Sequence, residues 1–516
     1  MRDDVGHASA QRPVETWVSL HPAALAAAPR ELAPIIPAAG PAPRSARLAA
    51  ALGAANRRWG NPVDGELERW LAGAEAVVTG QQPGLLGGPL LTLVKACAVA
   101  AEVARRRAAG RDAVGFLWLA TADDDLPEMG WARVAVGEEV LERKEDSWRR
   151  GDVMGGHAVL GRAASELLER IGEQLPAEHA QHSIELAAAC YRPGTTLGEA
   201  TACFLARVLA GSGVVLVDAL EPELARAARP AVERVLERLP EIWAALADGG
   251  ERFERRGWSV PLRITPQTLP LFVIEGERRR RLRTASGRCP DAVRDDLRTR
   301  PEQFAPNAWL RPIVQDAALG TALAILGGAE LAYHLQTAGA REIAGLGRPA
   351  WRLRPHVTVV TSAERRLARQ LRLVPDDLLR AALPGHLLPG KKVRKRTASL
   401  SGWLDRRVDA LESLARAELP GLVGDLEATR RRLGAATQWL EERVVNAATK
   451  AAEVDGGRWR RLRAFLRPGG KAQERELSAL APLLRLGLAW PAQLIDALDP
   501  EQPGMHLLFW EEGGSW

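Results

Sequence analysis

The stretch AEAVVTGQQPGLLGGPLLTLVKA, residues 74–96, decides the fold. An apolar run at 74–79 is followed by a loop at 80–89 that is rich in glycine and proline, and the run at 90–107 contains neither residue. The first run is typical of a buried strand and the second of a helix. The next apolar run, AVGFLWLAT at 113–121, predicts a second buried strand. Strand, helix and strand in this order form a βαβ unit, so the sequence predicts an α/β protein with a parallel sheet.

The alternation of helices and strands continues along the chain. The hydrophobic pattern predicts helices at about 162–176, 197–211 and 221–238, and a buried strand at 213–218. We expect residues 310–339 to begin extended and to become helical.

From about residue 362 the pattern changes to long helices. Apolar residues recur there at spacings of three, four and seven, which is typical of a coiled-coil seam. Pro420 and Gly421 interrupt this seam and predict a break or a hairpin corner. An isolated seam would expose apolar surface, so we expect a homodimer, the alternative being a seam that packs on the protein's own core. The seam residues are Leu404, Val408, Leu411, Ala415, Leu422, Leu426, Leu433, Leu440 and Val444.

Composition narrows the class of protein. No apolar run in the 516 residues approaches the ~20 that a membrane span requires. The first residues are acidic and polar where a signal peptide is basic and then apolar, so we expect a cytoplasmic protein without a membrane partner. The cysteines lie far apart and the histidines are scattered, which predicts buried thiols, with neither a disulfide framework nor a metal centre. The cysteines are Cys97, Cys190, Cys203 and Cys289.

A net charge of +6 permits anionic partners such as nucleotides, dicarboxylates or RNA. Two basic runs, ERRRRLR at 277–283 and KKVRKR at 391–396, are candidates for phosphate patches or for exposed turns and helix ends. We favour the exposed turn or helix end for the first run. Aromatic residues are only 5% of the chain and form no stacking platform, which weighs against nucleic acid as a partner.

The glycine loop is the first candidate site. Ligands of parallel sheets bind outside the carboxyl ends of the strands, where this loop should lie. The amides of Gly80, Gly84 and Gly88 could approach an anion, and Gln81 and Gln82 can both donate and accept hydrogen bonds. The loop matches neither the Walker A nor the dinucleotide-binding pattern. The alternative is a long turn whose glycines serve only the backbone geometry.

An acidic cluster should lie beside this loop. Asp123, Asp124 and Asp125, with Glu128, follow the second strand of the βαβ unit. Adjacent carboxylates repel one another, so we expect a partner: a metal ion, an ammonium group or an arginine. Asp125 and Pro127 also resemble the start of a helix, with Asp125 as the N-cap.

A third candidate segment is NAWLRPIVQD at 307–316. Asn307, Arg311 and Gln315 are polar among apolar neighbours. Arg311 precedes Pro312, which predicts an extended backbone there. A buried arginine needs an anionic partner, so Arg311 is a candidate for a ligand contact or for an internal salt bridge.

Five segments of the chain resemble one known family. They are VVTGQQPGLLGGPLLTLVKA, FLWLATADDDLPEM, NAWLRPIVQD, GGAELAYHLQ with the later RLRPHVTVV, and RPGGKAQERELS. They recur in this order in the bacillithiol biosynthesis cysteine-adding enzyme family, BshC, and the resemblance covers about residues 15 to 511.

The resemblance implies a fold and a domain organisation. Family members look like a Rossmann-like parallel-sheet core related to class I aminoacyl-tRNA synthetases and nucleotidylyltransferases. On that basis we assign residues 1–361 to the core, with connecting-peptide insertions at about 140–200 and 240–305. Residues 362–465 would form the helical coiled-coil arm, which serves in dimerisation, and residues 466–516 would return to the core.

The resemblance also implies a ligase that adds L-cysteine to glucosaminyl-malate, with ATP activating the carboxylate and Mg²⁺ as a candidate ion. We assign catalysis to Gln81, Asp123, Asp124 and Asp125. Asp123 and Asp125 would grip the cysteine ammonium group or the metal ion, an aspartate could act as general base, and Gln81 would lie near the reacting end. The residues assigned to binding are Thr79, Gly80, Gln82, Gly84, Gly88, Glu128, Asn307, Arg311 and Gln315.

The chain departs from the family pattern in its acidic motif. Where the family usually reads E-D-H-D, this chain has Ala122 in place of Glu and Asp124 in place of His. A ligase or nucleotidylyltransferase acting on another amino acid or amino sugar is therefore one alternative. A non-catalytic RNA-binding relative is the other.

Overall fold

The computed structural model describes residues 15–19, 31–32, 44–151, 153–175, 178–284, 286–379, 391–451, 453–502 and 505–509. The chain divides into two compact units. The core unit comprises residues 1–134, 141–361 and 473–516, and the arm unit comprises residues 135–140 and 362–472. The domain boundaries assigned from the sequence stay a prediction. No helix among these described ranges is long and apolar enough to cross a membrane.

The strands are β1 (Glu15–Ser19), β2 (Glu31–Leu32), β3 (Glu75–Gln81), β4 (Ala113–Leu119), β5 (Trp131–Val136), β6 (Glu139–Lys144), β7 (Val215–Asp218), β8 (Thr268–Glu275), β9 (Arg278–Arg283), β10 (Phe304–Pro306), β11 (Thr321–Leu326), β12 (Ala350–Leu353), β13 (His356–Val360) and β14 (Met505–Phe509).

The helices are α1 (Ala46–Trp59), α2 (Asp64–Leu71), α3 (Leu91–Ala108), α4 (Leu126–Met129), α5 (Ala163–Gln174), α6 (Glu178–Cys190), α7 (Leu197–Val208), α8 (Pro222–Glu237), α9 (Leu239–Arg255), α10 (Asp291–Thr299), α11 (Arg311–Leu319), α12 (Gly328–Gln336), α13 (Ala338–Ile343), α14 (Ser362–Gln370), α15 (Pro375–Leu378), α16 (Lys391–Glu418), α17 (Val423–Ala451), α18 (Glu453–Leu466), α19 (Gln473–Glu476), α20 (Leu480–Leu486) and α21 (Trp490–Ala497).

The core unit is built on a sheet with the strand order β2-β12-β11-β3-β4-β7. The five strands from β12 to β7 are parallel, and β2 pairs antiparallel at one edge. This arrangement confirms the predicted parallel sheet. β3 runs two residues beyond its predicted end, so that Gln81 pairs with Leu119 at the carboxyl edge of the sheet. Every residue of β4 is buried, as expected for a central strand.

The segment from Arg311 onward corrects a sequence prediction. The extended start expected before Pro312 is wrong, because Arg311 is the first residue of helix α11. A proline in the first helical turn loses no hydrogen bond, since the amides of that turn have no partner within the helix. Gly320 ends α11 with a φ of 63°, and β11 follows directly in the middle of the sheet.

The basic run at 277–283 also differs from its prediction. Only Glu277 lies in a turn, and residues 278–283 form β9, which pairs antiparallel with β8. In a strand, successive side chains point to opposite faces. Arg279 is accordingly 13% exposed while its neighbour Arg280 is 59% exposed.

In the arm unit, α16 and α17 pack against each other as a helical hairpin. A short 3₁₀ turn, Pro420–Leu422, joins them, which confirms the predicted corner. The apolar residues of the predicted seam differ in their exposure to solvent. Val408 and Ala415 are buried, whereas Leu411 remains 54% exposed.

The C-terminal segment of the core unit is anchored to β13 by two side chains of α19. The amide of Gln473 bonds both the N–H and the carbonyl of Val359. The carboxylate of Glu474 receives two hydrogen bonds from Arg354, at 2.6 and 2.8 Å, and one from the backbone amide of Val357. Nδ1 of His356 lies 2.8 Å from the same carboxylate. Burial raises the pKa of Glu474, but Arg354 and His356 outweigh it and hold the pKa well below its usual range.

We predict that Glu474→Gln lowers the free energy of unfolding of the core unit by about 3 kcal/mol, because it leaves Arg354 buried without its ion-pair partner. The depressed pKa means that this stabilisation is complete above the ordinary carboxyl pKa of about 4.3 and is lost as the pH falls further. Urea titrations of the wild type and the variant between pH 7 and pH 3 measure both effects. Hydrogen exchange of β13 follows the loss at this strand.

The matched control is Glu251→Gln, at an exposed carboxylate that pairs with Arg255 on the surface of α9. This variant should unfold like the wild type at each pH. Equal losses of unfolding free energy in the two variants would contradict the role assigned to Glu474.

Candidate active site

The glycine loop, residues 80–89, leaves the carboxyl end of β3 and enters α3. Its middle, residues 83–88, is buried, whereas Gln81 and Gln82 are half-buried. The backbone is left-handed at Leu86, Gly87 and Gly88, with φ of 51°, 85° and 68°. A Cβ at Gly84 would lie 2.7 Å from Cα of Gly88. The glycines are therefore required by close packing and by the backbone conformation.

The loop amides are already bonded within the protein. The amide of Gly84 donates to Thr201 Oγ1 at 3.2 Å, and that of Gly87 donates to the Tyr191 hydroxyl at 2.7 Å. The amide of Gly88 donates to the carbonyl of Leu85. Gly84 and Gly88 thus lie where the sequence places them, but their amides do not face an anion. The structure favours the alternative in which these glycines shape the loop.

Gln82 joins the loop to the acidic cluster. Its Nε2 donates to Oδ2 of Asp123 at 2.6 Å. The other oxygen of Asp123 accepts the amide of Asp124 at 2.8 Å. Because β3 and β4 are adjacent parallel strands, the segments that follow them meet at one edge of the sheet, as expected.

An arginine from β9 is the partner of the aspartates. Nη2 of Arg279 lies 2.7 Å from Oδ1 of Asp123 and 2.7 Å from Oδ1 of Asp124. Its guanidinium also stacks over the ring of Phe272, 4.4 Å from the centroid. Burial raises the pKa of Asp124, but the hydrogen bond and charge of Arg279 outweigh it, and the pKa is lowered. Asp124 is therefore ionised at neutral pH.

Asp125 and Glu128 complete the acidic cluster. Asp125 precedes α4 but its side chain makes no capping bond, so the predicted N-cap is wrong in that respect. Its carboxylate pairs instead with Arg150. Burial raises the pKa of Glu128, and the charges of Asp125 and Asp123 raise it further. Glu128 is thus the carboxyl group of this cluster whose pKa moves toward neutrality.

A buried lysine, absent from the residues assigned by sequence, lies behind Gln81. Nζ of Lys95 donates to the carbonyl of Gly80 at 2.7 Å and to Oε1 of Gln81 at 3.1 Å. It also pairs with Glu330 at 2.7 Å. Burial raises the pKa of Glu330, but Lys95 and the amide of Gly327 outweigh it and lower the pKa, so the carboxylate is charged. In the sequence, Lys95 is an isolated charge in an otherwise apolar helix segment. This pattern is the signal that could have identified it as a site residue.

Arg311 lies beside the end of β3. A Cβ on Gly80 would be 3.5 Å from Nη1 of Arg311. This nitrogen donates to Gln315 at 3.0 Å, and Nη2 donates to the hydroxyl of Tyr333 at 2.7 Å. Both of these partners are neutral. Asn307 lies one turn earlier, where its side chain accepts the amide of Leu310 and holds the start of α11.

Thr79 is buried within the sheet. It is 1% exposed within β3, and its hydroxyl donates to the carbonyl of Ile325 in β11 at 2.8 Å. It therefore joins two strands of the sheet and does not face the carboxyl edge.

The arrangement offers amide and carboxylate groups to a small molecule at one edge of the sheet. Gln81, Gln82 and Asp123 are half-buried there, with Lys95 and Glu330 behind them. In the part of the chain that the structure describes, no group of three or more His, Cys, Asp or Glu side chains could hold a metal ion. An ammonium group fits an acidic edge of this kind.

Comparison with known proteins identifies two family models in the chain. Residues 38–355 match the model for the N-terminal Rossmann-like domain of bacillithiol biosynthesis BshC. Residues 397–510 match the model for the C-terminal coiled-coil domain of BshC. The two matches follow each other in the chain order that the sequence predicts.

Curated relatives carry the name "Putative cysteine ligase BshC". The protein from Koribacter versatilis is 32% identical over 56% of this chain and 56% of its own length. The protein from Solibacter usitatus is 28% identical over 89% of this chain and 88% of its own. A protein from Thermus thermophilus is 33% identical over 72% of this chain and 76% of its own.

Among solved structures, one from Campylobacter jejuni, titled as a putative arginyl-tRNA synthetase, aligns with 87% of this chain and 98% of its own. Its sequence identity is 13% and its TM-score is 0.24, a similarity from which nothing further follows.

We predict that Arg279→Ala lowers the free energy of unfolding by about 1–3 kcal/mol, because it removes the charged donor that the two half-buried carboxylates share. Urea unfolding measures the loss. Arg280→Ala is the matched control, since Arg280 is the next residue of β9 and is mostly exposed. That variant should unfold like the wild type. An Arg279→Ala protein with the wild-type free energy of unfolding would show that the aspartates do not depend on this arginine.

Proposed function

This chain belongs to the BshC family of bacillithiol biosynthesis, and we propose that it is a cysteine ligase that joins L-cysteine to glucosaminyl-malate through an amide bond. Support comes from the two family models and from relatives that carry this name along most of the chain. We assign the reaction to this edge of the sheet because of the 2.6 Å hydrogen bond between Gln82 and Asp123, which places the glycine loop against the acidic cluster.

In this proposal the acidic cluster holds the amino acid. Asp124 keeps its charge at neutral pH because its pKa is lowered, and an ionised carboxylate attracts the ammonium group of L-cysteine. Gln81 and Gln82 can donate hydrogen bonds to the carboxylate of the same molecule. Lys95 fixes the side chain of Gln81 from behind, which favours one orientation of that amide.

Glu128 is the candidate for the general base. The amine of the sugar must lose a proton when it attacks the activated carboxylate, and a base works best when its pKa lies near the working pH. The pKa of Glu128 is raised, whereas that of Asp124 is lowered. Glu128 keeps part of its surface open to solvent, so it can exchange its proton with water.

Formation of an amide from a free carboxylate requires activation, and we propose ATP as the co-substrate that provides it. We assign no step to Mg²⁺, because no group of three or more His, Cys, Asp or Glu side chains among the described residues could hold a metal ion.

We predict that purified protein converts L-cysteine, glucosaminyl-malate and ATP to bacillithiol, and that omission of any one of the three abolishes the product. Mass spectrometry of the reaction measures this. Asp123→Asn and Gln82→Ala should each lower kcat/KM by about 100-fold or more, because they remove charge or hydrogen bonds that position the substrate.

Asp146→Asn is the matched control, since Asp146 carries a carboxylate that is 81% exposed. It should keep wild-type activity. Turnover without ATP would contradict activation by ATP. Product formation from other amino acids but not from cysteine would favour the alternative substrate that the altered acidic motif suggests.

We further propose that the protein is a homodimer through the helical hairpin of the arm unit. Several large apolar side chains on α16, on α17 and on the turn between them remain exposed, and patches of this kind mark interaction sites. They are Trp403, Leu411, Leu414, Leu419, Leu422, Trp439 and Leu440.

We predict a solution mass of twice the 55.8 kDa chain by light scattering at micromolar concentration. Leu411→Glu should shift the protein toward the monomer, because it places a charge in the apolar contact. Val374→Glu is the control, at an exposed apolar residue of the arm unit outside the hairpin. A monomeric wild type would refute the dimer.

A further inference from the structure

Two cysteines that the proposed reaction does not use face each other next to the glycine loop. Cys190 is the last residue of α6, and Cys203 lies in α7. Their sulfur atoms are 2.6 Å apart. A disulfide bond is about 2.05 Å long, so bond formation requires the sulfurs to approach by only about half an ångström. The sequence predicts buried thiols, but Cys203 is partly exposed and Cys190 alone of the two is buried.

We propose that Cys190 and Cys203 form a reversible disulfide, a redox modification site that acts on the glycine loop. The proposal is independent of the ligase activity, because it rests on the contacts of α6 and α7 and not on a substrate. Disulfides that form inside reducing cells are usually transient or redox-sensing, and a pair of this kind suits such a role.

The two thiols differ in the way that disulfide formation requires. Cys203 is the more accessible sulfur. The hydrogen bond from Cys190 lowers the pKa of the Cys203 thiol, against the opposing effect of burial. The nearby arginines Arg207 and Arg192 lower it further, and Glu199 raises it. Of the two sulfurs, Cys203 is therefore the one whose reactive thiolate form is favoured.

With a peroxide as oxidant, the chemistry balances in two steps. The Cys203 thiolate attacks one peroxide oxygen, the O–O bond breaks, and hydroxide leaves to take up a proton and become water. Cys203 is then a sulfenic acid. The sulfur of Cys190 attacks the Cys203 sulfur, the S–O bond breaks, and a second water leaves with the proton of Cys190. Two thiols are oxidised by two electrons, and the peroxide is reduced to water.

The neighbours of both cysteines hold the glycine loop. Tyr191, next to Cys190, accepts the amide of Gly87 at 2.7 Å and donates to the carbonyl of Gly84 at 2.8 Å. Phe204, next to Cys203, packs so closely on Gly87 that a Cβ there would lie 2.6 Å from its ring. Closing the disulfide moves the end of α6 and the middle of α7 together. The loop that rests on both of them must then adjust.

The experiment exposes the full-length protein to hydrogen peroxide and then to dithiothreitol. We expect the intact mass to fall by about 2 Da, in line with the loss of two hydrogens. A peptide that joins Cys190 to Cys203 should appear in a non-reducing digest, and both changes should reverse on reduction. Hydrogen exchange of residues 84–88 should differ between the reduced and the oxidised protein.

Cys97→Ser is the matched control, because Cys97 is a buried thiol of α3, and this variant should form the same disulfide. Cys190→Ser should not form it, and its Cys203 should become over-oxidised or pair with added thiol. Failure of the wild type to form the linked peptide would overturn the proposal. A disulfide that forms without any change in exchange at residues 84–88 would overturn its effect on the loop.

Discussion

The ion pair between Lys95 and Glu330 is the constraint on which the candidate site depends. Lys95 is 4% exposed and its partner 20%, so each charge needs the other. Three hydrogen bonds of the ammonium group reach Gly80, Gln81 and Glu330. These acceptors belong to the end of β3 and the start of α12, and the lysine itself belongs to α3. One buried charge thus fixes three elements at the carboxyl edge of the sheet, and Gln81 takes its orientation from it.

Further contacts at the carboxyl edge of the sheet lie next to the end of β3. Gln82 extends from β3 to Asp123 after β4, and Arg279 reaches the same carboxylate from β9. The glycine loop is held from the other side by α6 and α7. The loop therefore does not resemble a phosphate cradle with free amides. It is a rigid support that presents two glutamine side chains, which suits recognition of an amino acid more than capture of a phosphate.

Periodicity alone predicts β3, α3 and β4, because long apolar runs bounded by glycine leave little choice of structure. It also predicts that the loop and the aspartates meet. The sequence does not predict β11, since a short strand of alanine and leucine between two helices has no period of its own. Nor does it predict Arg279 or Glu330 as partners, because both pairings are made across strands and helices distant in the chain. Burial of such charges depends on tertiary packing, which a local pattern does not contain.

The central claim is that the edge formed by the glutamines and the aspartates binds the amino acid. A crystal structure of the protein with L-cysteine and a non-hydrolysable ATP analogue tests it most directly. We expect the cysteine ammonium group to lie within hydrogen-bond distance of Asp123 or Asp124, and its carboxylate to lie beside Gln81 or Gln82. Cysteine bound in another part of the molecule, with this edge unchanged, would contradict the account.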